Sequence, residues 1–317
     1  MTSHSDAVWL VSDVGASNAR FGLVSADGTV LHSHASPGIE FATIGDAIRA
    51  YLAQTRSHPV PRVACLAVAG PISGDEIRMM NRPWAFSIEA LRAELGLERL
   101  VVINDFTAVA LALPRLAPVD RVPVGGGTPV TGKPIGVFGP GTGLGVSGLI
   151  AAGSGWLPLI GEGGHMTMAP ATDRESAVLE WMRGQFGHVS AERCLSGPGI
   201  VNLYKALAAL DGVAPASYAP AQITDPSTQD RLCLEATTMF CAMLGTVAGD
   251  LALTLGAQGG VYIAGGIVPR LGVRFAESEF RARFEAKGRL GPYLAEIPTY
   301  VVTHPLPAFL GCAAALA

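Results

Sequence analysis

The sequence predicts an α/β protein built from two repeated halves, on three observations. Two segments far apart read as strand, glycine-containing turn, strand: residues 8–12 and 20–24 around Asp13-Val14-Gly15-Ala16-Ser17-Asn18, and residues 134–138 and 146–150 around Gly139-Pro140-Gly141-Thr142-Gly143-Leu144-Gly145. Apolar runs are followed by helical patterns, most sharply where Leu100-Val101-Val102-Ile103 ends in Asn104-Asp105 and a helical spacing starts at Phe106. With 317 residues, 49% of them hydrophobic, the chain can bury a large core and is more naturally two domains than one.

In the first half, residues 29–35 alternate as a third strand after the turn Asp27-Gly28. Residues 42–54 carry Ile44, Ile48 and Leu52 along one helical face. Residues 62–68 read as a buried strand stopped by Gly70-Pro71. Residues 87–95 read as a helix with Ser87 as N-cap, residues 100–103 as a strand and 106–113 as a helix. The Pro- and Gly-rich stretch 114–134 is the expected junction. The second half adds a strand at 155–160, helices at 174–186, 200–210 and 228–255, and a short strand at 261–264 before Gly265-Gly266. It ends with a helix at 276–286, a strand at 299–303 and a helix at 308–317.

The net charge of −4, with no basic cluster, gives no footprint for a polyanion, so nucleic acid is not an expected partner. No window approaches ~20 uninterrupted apolar residues, so no membrane span is expected. Cys65, Cys194, Cys233, Cys241 and Cys312 are scattered without a C-x-x-C pair, which signals neither a zinc site nor a disulfide framework and suits a reducing cytoplasm.

In an α/β sheet, ligands bind outside the carboxyl ends of the strands. Asn104-Asp105 therefore points toward a binding site, with Asp105 placed to take a proton and Asn104 to orient a polar substrate; the competing reading is that Asp105 merely caps the helix that follows. Residues 127–134 match the P-loop pattern up to its last position, where Pro134 supplies neither hydroxyl nor N–H, so that match is set aside. Gly143-x-Gly145-x-x-Gly148 matches the dinucleotide fingerprint but leads into a strand rather than a helix. The two glycine turns remain as hairpins that either are ordinary or line up backbone N–H groups for phosphate, with Gly15, Gly141, Gly143 and Gly145 letting the main chain approach. Asp13, at a strand end, could then hold Mg²⁺ through water.

Gly161-Glu162-Gly163-Gly164-His165 places an acid and an imidazole in a loop too rich in glycine to serve packing. Glu192 precedes Ser196-Gly197-Pro198-Gly199; its plainer reading is a helix-end charge paired with Arg193. Asn104, Asp105, Glu162, His165 and Glu192 together offer donors and acceptors for the vicinal hydroxyls of a sugar, with one carboxylate left for base work.

At these residues the chain resembles the bacterial-type glucokinases of the hexokinase group. The resemblance runs from Val8 onward through residues 13–20, Trp84-Ala85-Phe86-Ser87, residues 103–109, 139–145, 161–165 and 189–199, and Ile263-Ala264-Gly265-Gly266-Ile267-Val268-Pro269-Arg270. It implies a two-domain actin-like ATPase (ribonuclease H-like) fold with a ligand cleft, residues 1–115 with 304–317 forming a small domain and 116–303 a large one, in a cytoplasmic homodimer. It also implies the reaction ATP + D-glucose to ADP + glucose 6-phosphate with Mg²⁺, the first step of glycolysis. Asp105 would be the base on the 6-hydroxyl, and Asn104, Asp105, Glu162, His165 and Glu192 would hold the sugar. Ser12, Asp13, Val14, Gly15, Ala16 and Ser17 with Gly141, Thr142 and Gly143 would face the phosphates, and Gly265 and Gly266 the adenosine. The family usually carries Gly-Gly-Thr where this chain has Gly15-Ala16-Ser17; Ser17 keeps the hydroxyl, whereas Ala16 resists positive φ.

Two other functions compete. One is a broad hexokinase accepting mannose, fructose or glucosamine; the other is a sugar or nucleotide sensor that transfers no phosphate. A DNA-binding regulator would show a basic helix, which the sequence lacks.

Overall fold

The computed structural model describes residues 7–15, 18–37, 40–79 and 83–317. The chain divides into two compact units, Met1–Ala117 with His304–Ala317, and Pro118–Thr303.

The first unit opens with β1 (Val8–Val14), β2 (Asn18–Ser25) and β3 (Val30–Pro37), followed by α1 (Ile44–Gln54), β4 (Val63–Val68), β5 (Glu76–Arg78), β6 (Ala85–Ser87), α2 (Ile88–Glu94), β7 (Arg99–Asn104) and α3 (Asp105–Ala112). Five strands form one sheet in the order β3-β2-β1-β4-β7, with β1, β4 and β7 parallel and β2 and β3 antiparallel to their neighbours. Alternation along β1 sends Leu10 and Val14 to a core shared with Ile44, Ile48 and Tyr51 of α1 and Leu91 of α2. Val11 goes to the opposite face, where Ala108 of α3 meets Phe309, Cys312 and Ala313. Helix ends follow their caps: Thr43 accepts from Asp46 N and Ser87 from Ala90 N.

The second unit begins with β8 (Arg121–Val124), inside the stretch expected to be linker, and continues with β9 (Ile135–Pro140), β10 (Leu144–Ala152) and β11 (Gly155–Leu159). The helices α4 (Asp173–Phe186), α5 (Ala191–Cys194), α6 (Gly197–Leu210), α7 (Pro220–Ile223) and α8 (Arg231–Leu255) follow. After β12 (Val261–Ile263) come α9 (Ile267–Leu271), α10 (Val273–Ala276), α11 (Phe280–Glu285), α12 (Gly291–Ala295) and β13 (Thr299–Val302). The sheet order is β11-β10-β9-β12-β13-β8. Its first five positions repeat the first unit's plan: a meander of three antiparallel strands, then two strands parallel to the first of them. The chain returns to the first unit as α13 (Pro307–Leu316), which packs on α3, β1 and β4.

α8 is long and apolar enough to cross a membrane by length and composition, but its buried residues, among them Phe240, Met243 and Leu244, lie in the core of the second unit. The helix expected over 276–286 is broken. Ser278 donates its hydroxyl to Phe275 O at 2.7 Å and accepts from Phe280 N at 3.3 Å, ending one turn and starting the next.

Candidate active site

In the first unit the parallel strands end level with one another, Val14 against Val68 and Val68 against Asn104. The segments that follow, Gly15, Ala69-Gly70 and Asp105, therefore emerge at one edge of the sheet, the edge where α/β proteins bind ligands. Asn104, not Asp105, is the N-cap of α3, its amide oxygen accepting from Phe106 N at 2.9 Å and Thr107 N at 3.1 Å. Its amide nitrogen donates to Gly70 O at 3.2 Å. Most of the Asn104 amide is thus committed to fixing β7 against β4 and α3, which leaves little of it for substrate. Asp105 occupies the first helical position, half-buried, with Oδ1 accepting from Phe106 N at 2.9 Å.

β1 runs two residues further than expected, so Asp13 and Val14 belong to the ladder, opposite Arg20 and Ala19. Asp13 Oδ2 accepts from Arg20 Nη1 at 3.3 Å, a partner not foreseen. Burial pushes the Asp13 carboxyl up and the guanidinium opposes that shift. Asp13 lies level with Ile103 two strands away, so it stands roughly 10 Å from the end of β7 at ordinary strand spacing. Ser12 is 0% exposed on the Leu10–Val14 face, and its hydroxyl is buried without a hydrogen-bond partner among the described residues. Val14 is likewise wholly buried. Gly15 N donates to Asn18 O at 3.0 Å. Ala16 and Ser17 lie outside the described residues.

In the second unit the β9–β10 hairpin pairs Pro140 with Leu144, so its tip is Gly141-Thr142-Gly143 rather than the whole of 139–145. Gly141 N donates to Gly143 O at 2.8 Å, and Gly197 N, at the start of α6, donates to Gly141 O at 2.8 Å. Gly265 flanks the same hairpin. Its φ is +84°, and a Cβ there would lie 2.5 Å from Pro140 O, so glycine is required twice over. Nothing comes within 4 Å of a Cβ at Gly141, Thr142 is exposed, and Gly266 is exposed beside Gly265.

Glu192 is not paired with Arg193. Its Oε2 accepts from Leu144 N at 2.9 Å, whereas Arg193 lies over the Phe186 ring, 4.5 Å from its centroid. A Cβ on Gly143 would collide with that same Oε2. Gly164 packs so closely that a Cβ on it would collide with Leu144 O. His165 N donates to Glu162 O at 3.0 Å in a tight 3₁₀ turn, leaving both side chains exposed, and Ala191 N donates to Met166 O at 2.8 Å. Glu162, His165 and Glu192 therefore come from two segments that both abut Leu144. Leu144, Gly197 and Gly70 were not foreseen; each acts through backbone atoms, which leave no mark in a sequence. Among the described residues no cluster of three or more His, Cys, Asp or Glu could hold a metal ion, and the five cysteines are free and buried.

Comparison with known proteins adds the lineage. The protein named Bifunctional protein glk from Burkholderia pseudomallei (strain 1710b) is 51% identical over all of this chain, which spans about half, 50%, of that relative's length. The protein named Glucokinase from Paramagnetospirillum magneticum is 52% identical, with 96% of each chain covered. The crystal structure of a glucokinase from an Antarctic psychrotroph superposes with a TM-score of 0.88 at 38% identity, over 98% of both chains. A family model described as Glucokinase matches residues 10–317. By that match and these relatives, the chain belongs to the glucokinase family and has its α/β, actin-like ATPase fold.

Proposed function

We propose that this chain transfers the γ-phosphoryl group of ATP to the 6-hydroxyl of D-glucose. The observation that carries the reading is that the two segments bearing Glu162, His165 and Glu192 both abut Leu144, at the base of a glycine hairpin in the second unit. Carboxylates and an imidazole suit ring hydroxyls, whereas the open space at Gly141 and the exposed Thr142 at the hairpin tip suit phosphate oxygens. Gly265 and Gly266, beside that tip, suit the nucleoside end.

In the first unit Asp105 is the general base, held at the helix start while Asn104 takes the capping role. Phosphoryl transfer depends chiefly on positioning and charge stabilisation, with a carboxylate accepting the hydroxyl proton. Asp13 and the Gly15 turn, at the same sheet edge, serve the phosphates. A single partly exposed carboxylate, paired with Arg20, fits a Mg²⁺ ion that arrives on the nucleotide and keeps its waters, with Asp13 as a water-mediated contact. Such an ion would neutralise charge on the phosphates.

A coupled assay across sugars and phosphoryl donors tests the reading. Glucose should exceed mannose and galactose in kcat/KM by ~10-fold or more, the worth of one lost directional bond. Equal values for glucose and mannose would make the enzyme a broad hexokinase, and nucleotide binding without transfer would make it a sensor. We propose further that it works as a cytoplasmic homodimer. Ile150 and Leu157, cross-strand partners at the β11 edge that are 41% and 58% exposed, are apolar surface that such pairing could bury. Light scattering during gel filtration, giving a dimer or a monomer mass, decides that point.

A further inference from the structure

The glycine hairpin carries two kinds of glycine. At Gly141 a side chain would enter open space, which the protein itself leaves unfilled. At Gly143 the space is already taken by the protein: the Glu192 carboxylate sits where a Cβ would be, and Leu144 N, one residue on, holds the same Oε2 at 2.9 Å. That hydrogen bond holds one oxygen of Glu192 against the backbone, in the space that Gly143 leaves for it. The second sugar segment is tied to the same point, since Gly164 packs on Leu144 O and Met166 O accepts from Ala191 N.

We infer that Gly143 is a sugar-positioning residue rather than a phosphate-contacting one. It makes room for Glu192, Leu144 N–H locks the carboxylate, and the nucleotide hairpin and the sugar side chains thereby move as one body. The inference rests on the glucokinase reading above and assigns to the sugar half a residue that a glycine-rich loop would otherwise give to phosphate. It also requires reciprocity. A nucleotide that orders the hairpin should tighten glucose, and glucose should tighten the nucleotide by the same factor, because coupling between two sites is symmetric.

The test compares Gly143→Ala with Gly141→Ala by calorimetric titration with glucose and, separately, with a non-hydrolysable ATP analogue. Displacing the Glu192 carboxylate should weaken glucose ~10-fold or more, as expected when one charge-assisted bond is misplaced, and weaken the analogue far less. Gly141→Ala should show the reverse preference. A double-mutant cycle guards against a general loss of structure: in a Glu192→Ala background, Gly143→Ala has nothing to strike and should change glucose affinity less than ~2-fold, whereas independent effects would multiply. Additive losses, or a Gly143→Ala protein that loses the nucleotide before the sugar, would overturn the inference. A wild-type protein that binds no glucose would instead sink the function itself, and the two failures are read in different titrations.

Discussion

Asp105 stands at the first helical position of α3 because its neighbour Asn104 does the capping, and this division of labour sets what each substitution should do. Asp105→Asn keeps the helix and the shape but removes the carboxylate proposed as the base, so kcat should fall ~10²–10⁴-fold while glucose affinity stays within a few-fold. Near-normal turnover in that variant would show that the proton leaves by another route. Asn104→Ala should instead lower stability by about 1 kcal/mol, the usual worth of an N-cap, measured by urea unfolding. Glu162→Gln should erode the preference for glucose over mannose more than it disturbs ATP use, and an unchanged ratio would remove Glu162 from sugar recognition. The sequence makes Asn104-Asp105 conspicuous without saying which of the two caps, since Asn and Asp cap equally well. That answer depends on β7 ending level with β4, so that Gly70 O meets the Asn104 amide. The clash that Gly143 avoids is even less legible, because its partner lies 49 positions away.

Elements with strong periodicity or a side-chain cap were readable: α1, α2, α4 and the parallel strands fall within one to three residues of their expected bounds. The short strands β5, β6 and β8 were not. Three or four residues cannot establish an alternation, and Pro123 inside β8 is tolerated only because that strand lies at the sheet edge. Ser278 broke a helix whose apolar spacing continued across it. The crossing of α3 and α13 likewise has no local signature; a Cβ on Gly311 would run into the Ala108 carbonyl, so the helices meet backbone to backbone. Gly311→Val should therefore destabilise the protein by ~1–3 kcal/mol or more, as overpacking does. Gly184→Ala, on α4 with nothing near its Cβ direction, should stabilise it by up to about 1 kcal/mol. Chemical denaturation of the pair checks both signs; a neutral Gly311→Val would mean the crossing can open.

At the scale of the whole molecule, every thiol is buried, and burial pushes Cys194 and Cys241 up to about 12. A disulfide reagent should modify none of the five cysteines in the native protein and all five after unfolding; reaction before unfolding would show that a core opens locally. These raised values also set an alkaline limit. The unfolded thiols lose protons from about pH 8.5 upward while the folded ones keep theirs, so the stability they confer is complete below that pH and lost progressively toward pH 12. Unfolding free energy should fall across that window, and a flat profile would contradict the burial. The order of the chain has one more consequence, for synthesis. The second unit is a single uninterrupted stretch, whereas one core of the first unit joins Val11 and Ala67 to Phe309 and Cys312, from the far end of the described chain. On the ribosome the first unit, begun before the second, is completed after it. Its sheet must wait, one face uncovered, until α13 emerges, an interval in which that apolar face is open to misassembly.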